Sequence, residues 1–183
     1  MHVYVYVLNC ATVYHIVLLE YSTVLFHRAK HPVKVHVWGG ISLRGRTGVC
    51  IFQGKMDATM YVNILRATLK PFLDEVYPDS HRFMQDNDPK HTACTTLQFF
   101  ADNGINWWKT PPESPDCNPV ENLWHEMKEY LRREVKPHTK QQLIDGIQEF
   151  WQTVDVAKCT RYIRHLRKVL SLEIRLQGAA TGY

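Results

Sequence analysis

Short apolar stretches with alternating side chains occupy the first third of the chain. In residues 33–42, VKVHVWGGIS, valines alternate with polar or aromatic residues, which predicts a strand that stops at Gly39 and Gly40. The segment GVCIFQG follows a glycine-rich turn, so the two segments predict a hairpin. The N-terminal stretch MHVYVYVLNCATVYHIVLL is rich in valine and tyrosine, and this composition predicts one or two buried strands.

Helical periodicity begins at Asp57, a residue type that caps helix N-termini. Pro71 would bend or end the helix that follows. Asp88 and Pro89 predict the cap and first position of a second helix, and Gly104 lies past its end. The predicted apolar faces are Tyr61, Ile64, Leu65 and Phe72 in the first helix, and Ala93, Leu97, Phe100 and Ala101 in the second.

Three more helices are predicted towards the C-terminus. The sequence NPVE places Asn118 at the cap, Pro119 at the first position and Glu121 at the third, which matches a capping box. Thr139 and Gln142 form a second capping box. The predicted apolar faces are Val120, Leu123, Trp124, Met127 and Leu131; Leu143, Ile144, Ile147, Phe150 and Trp151; and Tyr162, Ile163, Leu166, Val169 and Leu170.

Two short predicted strands lie between the helices, HRFMQ before Asp86 and INWWKTP after the second helix. This alternation of strands and helices predicts an α/β fold. The chain has 183 residues, 45% of them hydrophobic and 22% charged, which is the composition of a globular domain with a substantial core. Without internal repeats or a low-complexity linker, we expect a single domain over residues 1–183.

The cysteines and the apolar N-terminus exclude some classes of protein. Five scattered cysteines without a Cys-x-x-Cys pair indicate neither a disulfide scaffold nor a zinc site, so we expect a reducing compartment, cytosol or nucleus. The N-terminal stretch lacks a basic leader and a small-residue cleavage site, and Asn9 and His15 interrupt it. We therefore expect no membrane partner.

Positive charge is concentrated near the C-terminus, although the whole chain has a net charge of only +4. A basic helix at this end would suit an anionic partner, and a solvated helix face would explain it equally well. The basic residues, set against the single acid Glu173, are Lys158, Arg161, Arg164, Arg167, Lys168 and Arg175.

Two acids, Asp86 and Glu121, are candidates for chemistry. Asp88 has a sufficient role as a cap, whereas Asp86 at the tip of a strand is either a turn residue or a metal ligand. Glu121 is explained by its capping box. Its helix face continues with His125, Lys128 and Arg132, which would suit a metal-bound phosphate backbone or a solvated face with internal ion pairs.

The spacing of these acids carries a family resemblance. Between Asp86 and Glu121 lie 34 residues, flanked by the words QDNDPKHT and SPDCNPVENLW. Here the chain resembles the transposase (DDE) domain of the Tc/mariner superfamily, in which an Asp at a strand end is followed by 34 residues and an acid at a helix start. The resemblance extends from AKHPVKVHVWGGIS to the closing GAATGY.

The resemblance implies an α/β ribonuclease H-like fold, a mixed sheet flanked by helices with extra C-terminal helices. It implies DNA strand cleavage and transfer, the chemistry of DNA transposition and integration, with two Mg²⁺ or Mn²⁺ ions as cofactors. Asp86 would bridge the ions and Glu121 would ligate one of them. Lys90, His91 and Lys128 would be the nucleic-acid contacts.

The first catalytic Asp of the family is missing. Relatives carry it in a word like Asp-Glu-Ser-x-Phe on the first core strand, whereas this chain reads VLLEYSTVLFHRAKHPVKV, and Glu20 is the nearest acid. Glu20 is either a stand-in, with a carboxylate displaced by about 1 Å, or a strand residue unrelated to catalysis. The connection after this strand is also shorter, at a place where relatives have a loop implicated in subunit contacts.

A second departure concerns the DNA-binding helix-turn-helix region that precedes the catalytic domain in relatives. We expect this region to be absent here, because the residues before Glu20 leave no room for three helices. We expect DNA as partner, together with a second copy or a full-length transposase, and a nuclear location. Three interpretations stay open: a transposase-derived catalytic domain impaired by loss of the first Asp, an inactive co-opted or relic nucleic-acid-binding module, and a ribonuclease H-like nuclease for another substrate.

Overall fold

A computed structural model of the chain describes residues 16–26, 33–85, 88–109 and 119–164, with side chains described for 34–85, 88–107, 120 and 122–164. The described elements alternate in the α/β manner that the sequence predicts. In chain order the strands and helices are β1 (Ile16–Phe26), β2 (Val33–Ser42), β3 (Gly45–Arg46), β4 (Cys50–Phe52), α1 (Ala58–Val76), β5 (Arg82–Gln85), α2 (Cys94–Asp102), β6 (Trp107–Lys109), α3 (Pro119–Tyr130), a π-helical turn (Leu131–Val135), α4 (Lys140–Gln152) and α5 (156–164).

Six strands form one mixed sheet in the order β3-β2-β1-β5-β6, and β4 also pairs with β2. The pairs β1–β2, β2–β3 and β2–β4 are antiparallel, whereas β1–β5 and β5–β6 are parallel. The predicted hairpin is therefore confirmed as the β2–β4 pair. At the N-terminus, β1 supplies one of the predicted strands, and residues 1–15 lie outside the described residues.

Each face of the sheet packs against its own set of helices. Alternation along β2 sends Val35 and Val37 to one face and Trp38 to the other. The first face, which we call the α3–α5 face, packs against α3, α4 and α5. The second, the α1–α2 face, packs against α1 and α2. The sheet is thus the middle layer of three.

Two helix caps are confirmed. The Asp57 side chain accepts a hydrogen bond from the Met60 amide at 2.8 Å. Thr139 and Gln142 make both hydrogen bonds of the capping box at the start of α4. The buried stripe predicted for α3 is also confirmed, since its members Val120, Leu123, Trp124, Met127 and Leu131 are all buried.

The predicted stop of β2 at Gly39 and Gly40 is wrong, because the strand continues to Ser42. Gly39 is needed for packing within the strand: a Cβ there would lie 2.6 Å from a ring carbon of Trp151. Pro71 likewise does not end its helix, since α1 continues to Val76.

The predicted start of the second helix is also wrong. Asp88 does not cap it: α2 begins at Cys94, and its N-cap Ala93 makes no side-chain hydrogen bond. Residues 88–92 form a turn instead, in which the Asp88 carbonyl accepts from the amides of His91 and Thr92. Because the helix starts later, its buried residues are Thr96, Phe99 and Phe100, and the predicted Leu97 and Ala101 are exposed.

Candidate carboxylate site

The central parallel pair, β1 and β5, organises the candidate site. Leu18 in β1 pairs with Met84 in β5. Glu20 lies two residues beyond Leu18 and pairs with Gly39 of β2, although its side chain is not described. Asp86 follows Gln85, the last residue of β5, and lies outside the described residues. The strand expected before Asp86 is therefore present, and β1, with Glu20, is its direct neighbour.

The third acid, Glu121, lies in the first turn of α3, which begins at Pro119. Neither its side chain nor the predicted cap Asn118 is among the described parts of the chain. The face predicted to continue from Glu121 is exposed at His125, Lys128 and Arg132. Lys128 is therefore accessible, as a nucleic-acid contact requires.

Several described residues near the three acids lie on the α3–α5 side of the sheet. Gly39, the partner of Glu20, lies against Trp151 of α4. Met84, two residues before Asp86, and Val120, next to Glu121, belong to the same apolar cluster as Trp151. Gly39, Met84 and the helix that carries Glu121 therefore all lie on the α3–α5 side of the sheet.

A buried polar network holds the end of β5. Gln85 is 1% exposed, accepts a hydrogen bond from the Tyr61 hydroxyl of α1, and donates through Nε2 to the His91 carbonyl at 3.0 Å. The network therefore ties together both ends of the segment that contains Asp86. Sequence reasoning missed it, although a glutamine that ends an apolar strand was a signal for a buried polar contact.

His91, a predicted phosphate contact, is only 6% exposed. Its ring packs against that of Tyr61, with 4.1 Å between the ring centroids. The side chain therefore offers little surface to a ligand, and its packing adds to the hold on the segment after β5.

Lys90, the other predicted contact in this segment, forms an ion pair with Asp88. Its Nζ lies 2.5 Å from Asp88 Oδ2, and the two side chains are only 14% and 10% exposed. The same carboxylate accepts from the Lys90 amide through Oδ1 at 2.9 Å. Asp88 thus stabilises a turn and orients Lys90 rather than capping a helix.

Lys90 also borders a cleft of about 580 Å³ on the surface. We refer to this feature as the lysine cleft. Its lining residues come from β2, the segment after β4 and the turn after β5: Lys34, His36, Gln53, Gly54, Lys55, Met56 and Lys90.

Lys158, one of the basic residues near the C-terminus, makes its contacts within the protein. Lys158 Nζ lies 2.6 Å from Glu126 Oε1 and 4.5 Å from the centre of the Phe150 ring. Burial alone would raise the pKa of Glu126, but hydrogen bonds from Lys158 and Tyr162 hold it below its usual value. Lys158 therefore fastens α5 to α3, whereas Arg164 is exposed. Arg167, Lys168 and Arg175 lie outside the described residues.

Three carboxylates form a donor set that suits Mg²⁺ or Mn²⁺, because hard divalent cations prefer oxygen ligands. Among the described side chains, no group of three or more His, Cys, Asp or Glu is placed to hold a metal ion. The three candidate carboxylates do not belong to that described set. No helix in the described ranges has both the length and the apolar character needed to cross a membrane.

Comparison with known sequences identifies the family. The family described as DDE superfamily endonuclease matches residues 23–144, a range that contains Asp86 and Glu121 and begins after Glu20. The chain is 30% identical over 150 residues to the Tc3 transposase of Caenorhabditis elegans, with 81% of this chain and 46% of the relative covered. It is 28% identical over 149 residues to the Tcb2 transposase of Caenorhabditis briggsae, covering 81% and 54%. The chain spans about half the length of these relatives.

Solved structures agree on the fold. The Mos1 transposase catalytic domain, in a structure with raltegravir and Mg, matches with a TM-score of 0.76 at 20% identity over 90% of this chain and 84% of that one. A Mos1 mariner paired-end complex with Mn matches with a TM-score of 0.73 at 15% identity, over 90% and 56% of the chains. The solved structures and the order of the strands show a ribonuclease H-like α/β fold, and the family match together with the transposase relatives shows that the chain belongs to the DDE superfamily endonucleases as a Tc/mariner transposase domain.

Proposed function

We propose that the chain catalyses metal-dependent cleavage and transfer of DNA strands, the chemistry of DNA transposition and integration. The catalytic carboxylates in this proposal are Asp86, Glu121 and Glu20. One observation carries it: β1 and β5 are parallel neighbours, so the strand with Glu20 lies beside the strand that leads to Asp86. Strand residues two apart share a face; Met84, two residues before Asp86, and Gly39, the partner of Glu20, lie on the α3–α5 face, against which the helix of Glu121 packs.

The cofactor in this proposal is Mg²⁺ or Mn²⁺, with two ions when all three acids take part. When bound, the ions would activate the attacking oxygen and stabilise the leaving oxygen of the phosphodiester. Asp86 would be the shared ligand and Glu121 would hold one ion. The Tyr61–Gln85–His91 network supports Asp86 by holding the backbone on both sides of it.

Glu20 would impair the activity. A glutamate is one methylene longer than the family's aspartate, and a misplacement of about 1 Å can lower a rate by roughly 100-fold. We therefore expect Glu20→Asp to raise the rate of strand cleavage, by up to about 100-fold. The measurement is the initial rate of plasmid nicking by parent and variant, and a lower rate in Glu20→Asp would refute the assigned role.

The experiment that tests the function is Mn²⁺-dependent nicking of supercoiled plasmid by the purified chain. Asp86→Asn and Glu121→Gln should each abolish nicking, because each removes a charged oxygen ligand. Asp79→Asn changes an exposed acid of the α1–β5 connection and is the matched control. Equal nicking by parent and Asp86→Asn would point to a contaminating nuclease and contradict the proposal.

A second candidate is a nucleic-acid-binding module without catalysis. It is favoured by the glutamate at the first position and by a family match that begins only at residue 23. This candidate predicts that the chain binds DNA but does not nick it with Mg²⁺ or Mn²⁺, even after Glu20→Asp.

The proposed partners follow from the proposed chemistry. DNA is the substrate, with Lys90 and Lys128 as contacts, and a second copy or a full-length transposase would supply the other half of a transposition complex. A nuclear location gives access to chromosomal DNA. Co-purification of the tagged chain with an untagged copy, and microscopy of the tagged chain in cells, test these expectations.

A further inference from the structure

The lysine cleft concentrates positive charge on one side of the sheet. Lys34 and His36 alternate along β2 with Val35 and Val37, whose side chains enter the core of the α3–α5 face. The alternation therefore places the cleft on the α1–α2 face. The His36 ring confirms this placement, since it stacks on Phe52 of the α1–α2 cluster with 5.3 Å between the centroids.

The charge in the cleft is only partly balanced. Lys90 has Asp88 as its ion-pair partner, but no ion pair between described residues involves Lys34 or Lys55, and both are exposed. Burial and the neighbouring Lys34 lower the pKa of His36, which favours the neutral imidazole, so the lysines are the main source of positive charge in the cleft. Cations gathered in one cleft repel one another and are relieved by an anion.

The position of the cleft relates it to the proposed carboxylate site. Lys90 is four residues after Asp86 in the sequence, and the turn that carries it is fixed by the Gln85–His91 hydrogen bond. The described neighbours of the acids lie on the α3–α5 side and the cleft lies on the α1–α2 side, so a strand that reached both would have to pass the carboxyl end of β5, where this turn lies.

From these observations we propose that the lysine cleft binds backbone phosphates of the DNA strand being cut, with Lys34 and Lys55 each neutralising one phosphate. Lys90, held by Asp88, connects the cleft to the turn after the carboxylate strand. The inference rests on the proposed function in one respect, the identity of the partner as DNA. It assigns to Lys34 and Lys55 a role in holding the strand and none in the chemistry.

The test is DNA binding without catalysis, measured by fluorescence anisotropy with labelled single-stranded and duplex oligonucleotides in EDTA. The variant is Lys34→Gln with Lys55→Gln, and the matched control is Lys136→Gln with Lys140→Gln, which removes two exposed lysines near the start of α4. We expect about a fivefold loss of affinity for each cleft lysine. The slope of log affinity against log salt should fall in magnitude by about 1.4 for single strands and 1.8 for duplex.

Each outcome decides the proposal. Equal affinity and salt slope in the cleft variant and the control would overturn it, and so would a parent chain that does not bind DNA. If inorganic pyrophosphate displaces the labelled DNA at an equal concentration of phosphate groups, the ligand of the cleft is a small anion, and the proposal that it binds DNA is overturned. Equal melting temperatures of parent and variants exclude misfolding. If the parent chain binds DNA through the cleft but does not nick plasmid, the proposed activity is refuted and the proposal that the cleft binds DNA is retained.

Discussion

The two faces of the sheet hold their helices by different means. On the α3–α5 face the contact is mainly apolar: the rings of Trp124 and Trp151 stack at 5.6 Å between centroids, and Trp151 lies against Gly39 of β2. One buried hydrogen bond, from Trp151 Nε1 to the Thr47 carbonyl, adds to this packing. On the α1–α2 face the apolar core also contains a buried hydrogen-bond network, in which Gln85 joins Tyr61 to the turn after β5. The α3–α5 face is therefore held mainly by packing, whereas the α1–α2 face has a side-chain hydrogen-bond network next to the position of Asp86 in the sequence.

This difference relates stability to function. Large apolar groups on the α3–α5 face fix the helix that carries Glu121, so damage there should appear mainly as lost stability. The network on the α1–α2 face fixes a short segment between Gln85 and His91, so damage there should affect strand cleavage more than its cost in stability explains. Substitutions made separately on each face test this difference between stability and function.

The largest effect is expected for Trp151→Ala. Trp151 is 2% exposed and donates from Nε1 to the Thr47 carbonyl at 2.9 Å. Its loss would leave a cavity over Gly39 and remove that hydrogen bond, at a cost of about 3–5 kcal/mol in the free energy of unfolding. Urea denaturation measures this change, and Val156→Ala at a half-exposed position is the control. A loss below about 1 kcal/mol would mean that the α3–α5 face does not depend on packing.

The Gln85→Leu variant tests the other face. The Tyr61 hydroxyl and the His91 carbonyl would each lose a buried partner, so we expect a loss of about 1–3 kcal/mol. At a temperature well below unfolding, the nicking rate of the variant relative to the parent should fall by more than its fraction of folded protein does. Gln141→Leu, at an exposed position on α4, is the matched control. Nicking that simply follows the folded fraction would show that the network has no positioning role.

A smaller, pH-dependent effect is expected for Glu126→Gln. Because the folded-state pKa of Glu126 is lowered, its contribution to stability is present above the usual glutamate pKa and is lost as pH falls through the lowered value. The Glu126 side chain is 39% exposed, so solvent screening limits the contribution to about 1 kcal/mol or less. Thermal melts of parent and variant should differ at neutral pH and converge in acid. A difference that grows in acid would contradict this sign.

The sequence predicted the elements whose signals are local. The capping box at Thr139 and Gln142, the cap at Asp57 and the apolar stripe of α3 are each decided by residues within a few positions of one another. The spacing from Asp86 to Glu121, with the words that flank it, carries the family resemblance without any knowledge of tertiary contacts. The ribonuclease H-like order of the strands then followed from the resemblance.

Features decided by distant contacts were missed or misplaced. The residues Asp88 and Pro89 suit a helix start and a turn equally, and the turn forms where Gln85 binds the His91 carbonyl. The π-helical turn Leu131–Val135 adjoins Gly146 of α4, where a Cβ would lie 2.8 Å from Val135 Cγ1. Such a close approach between segments leaves no periodic signal in the sequence.

The central claim, that Asp86 and Glu121 belong to one metal site, is tested most directly by Mn²⁺ binding followed by electron paramagnetic resonance. Asp86→Asn and Glu121→Gln should each weaken Mn²⁺ binding by at least about tenfold. Because ligands of one site do not act independently, the two losses of binding free energy should not simply add in the double variant. Asp79→Asn should bind Mn²⁺ like the parent. Unchanged Mn²⁺ affinity in both single variants would contradict the claim, whatever the chain does to DNA.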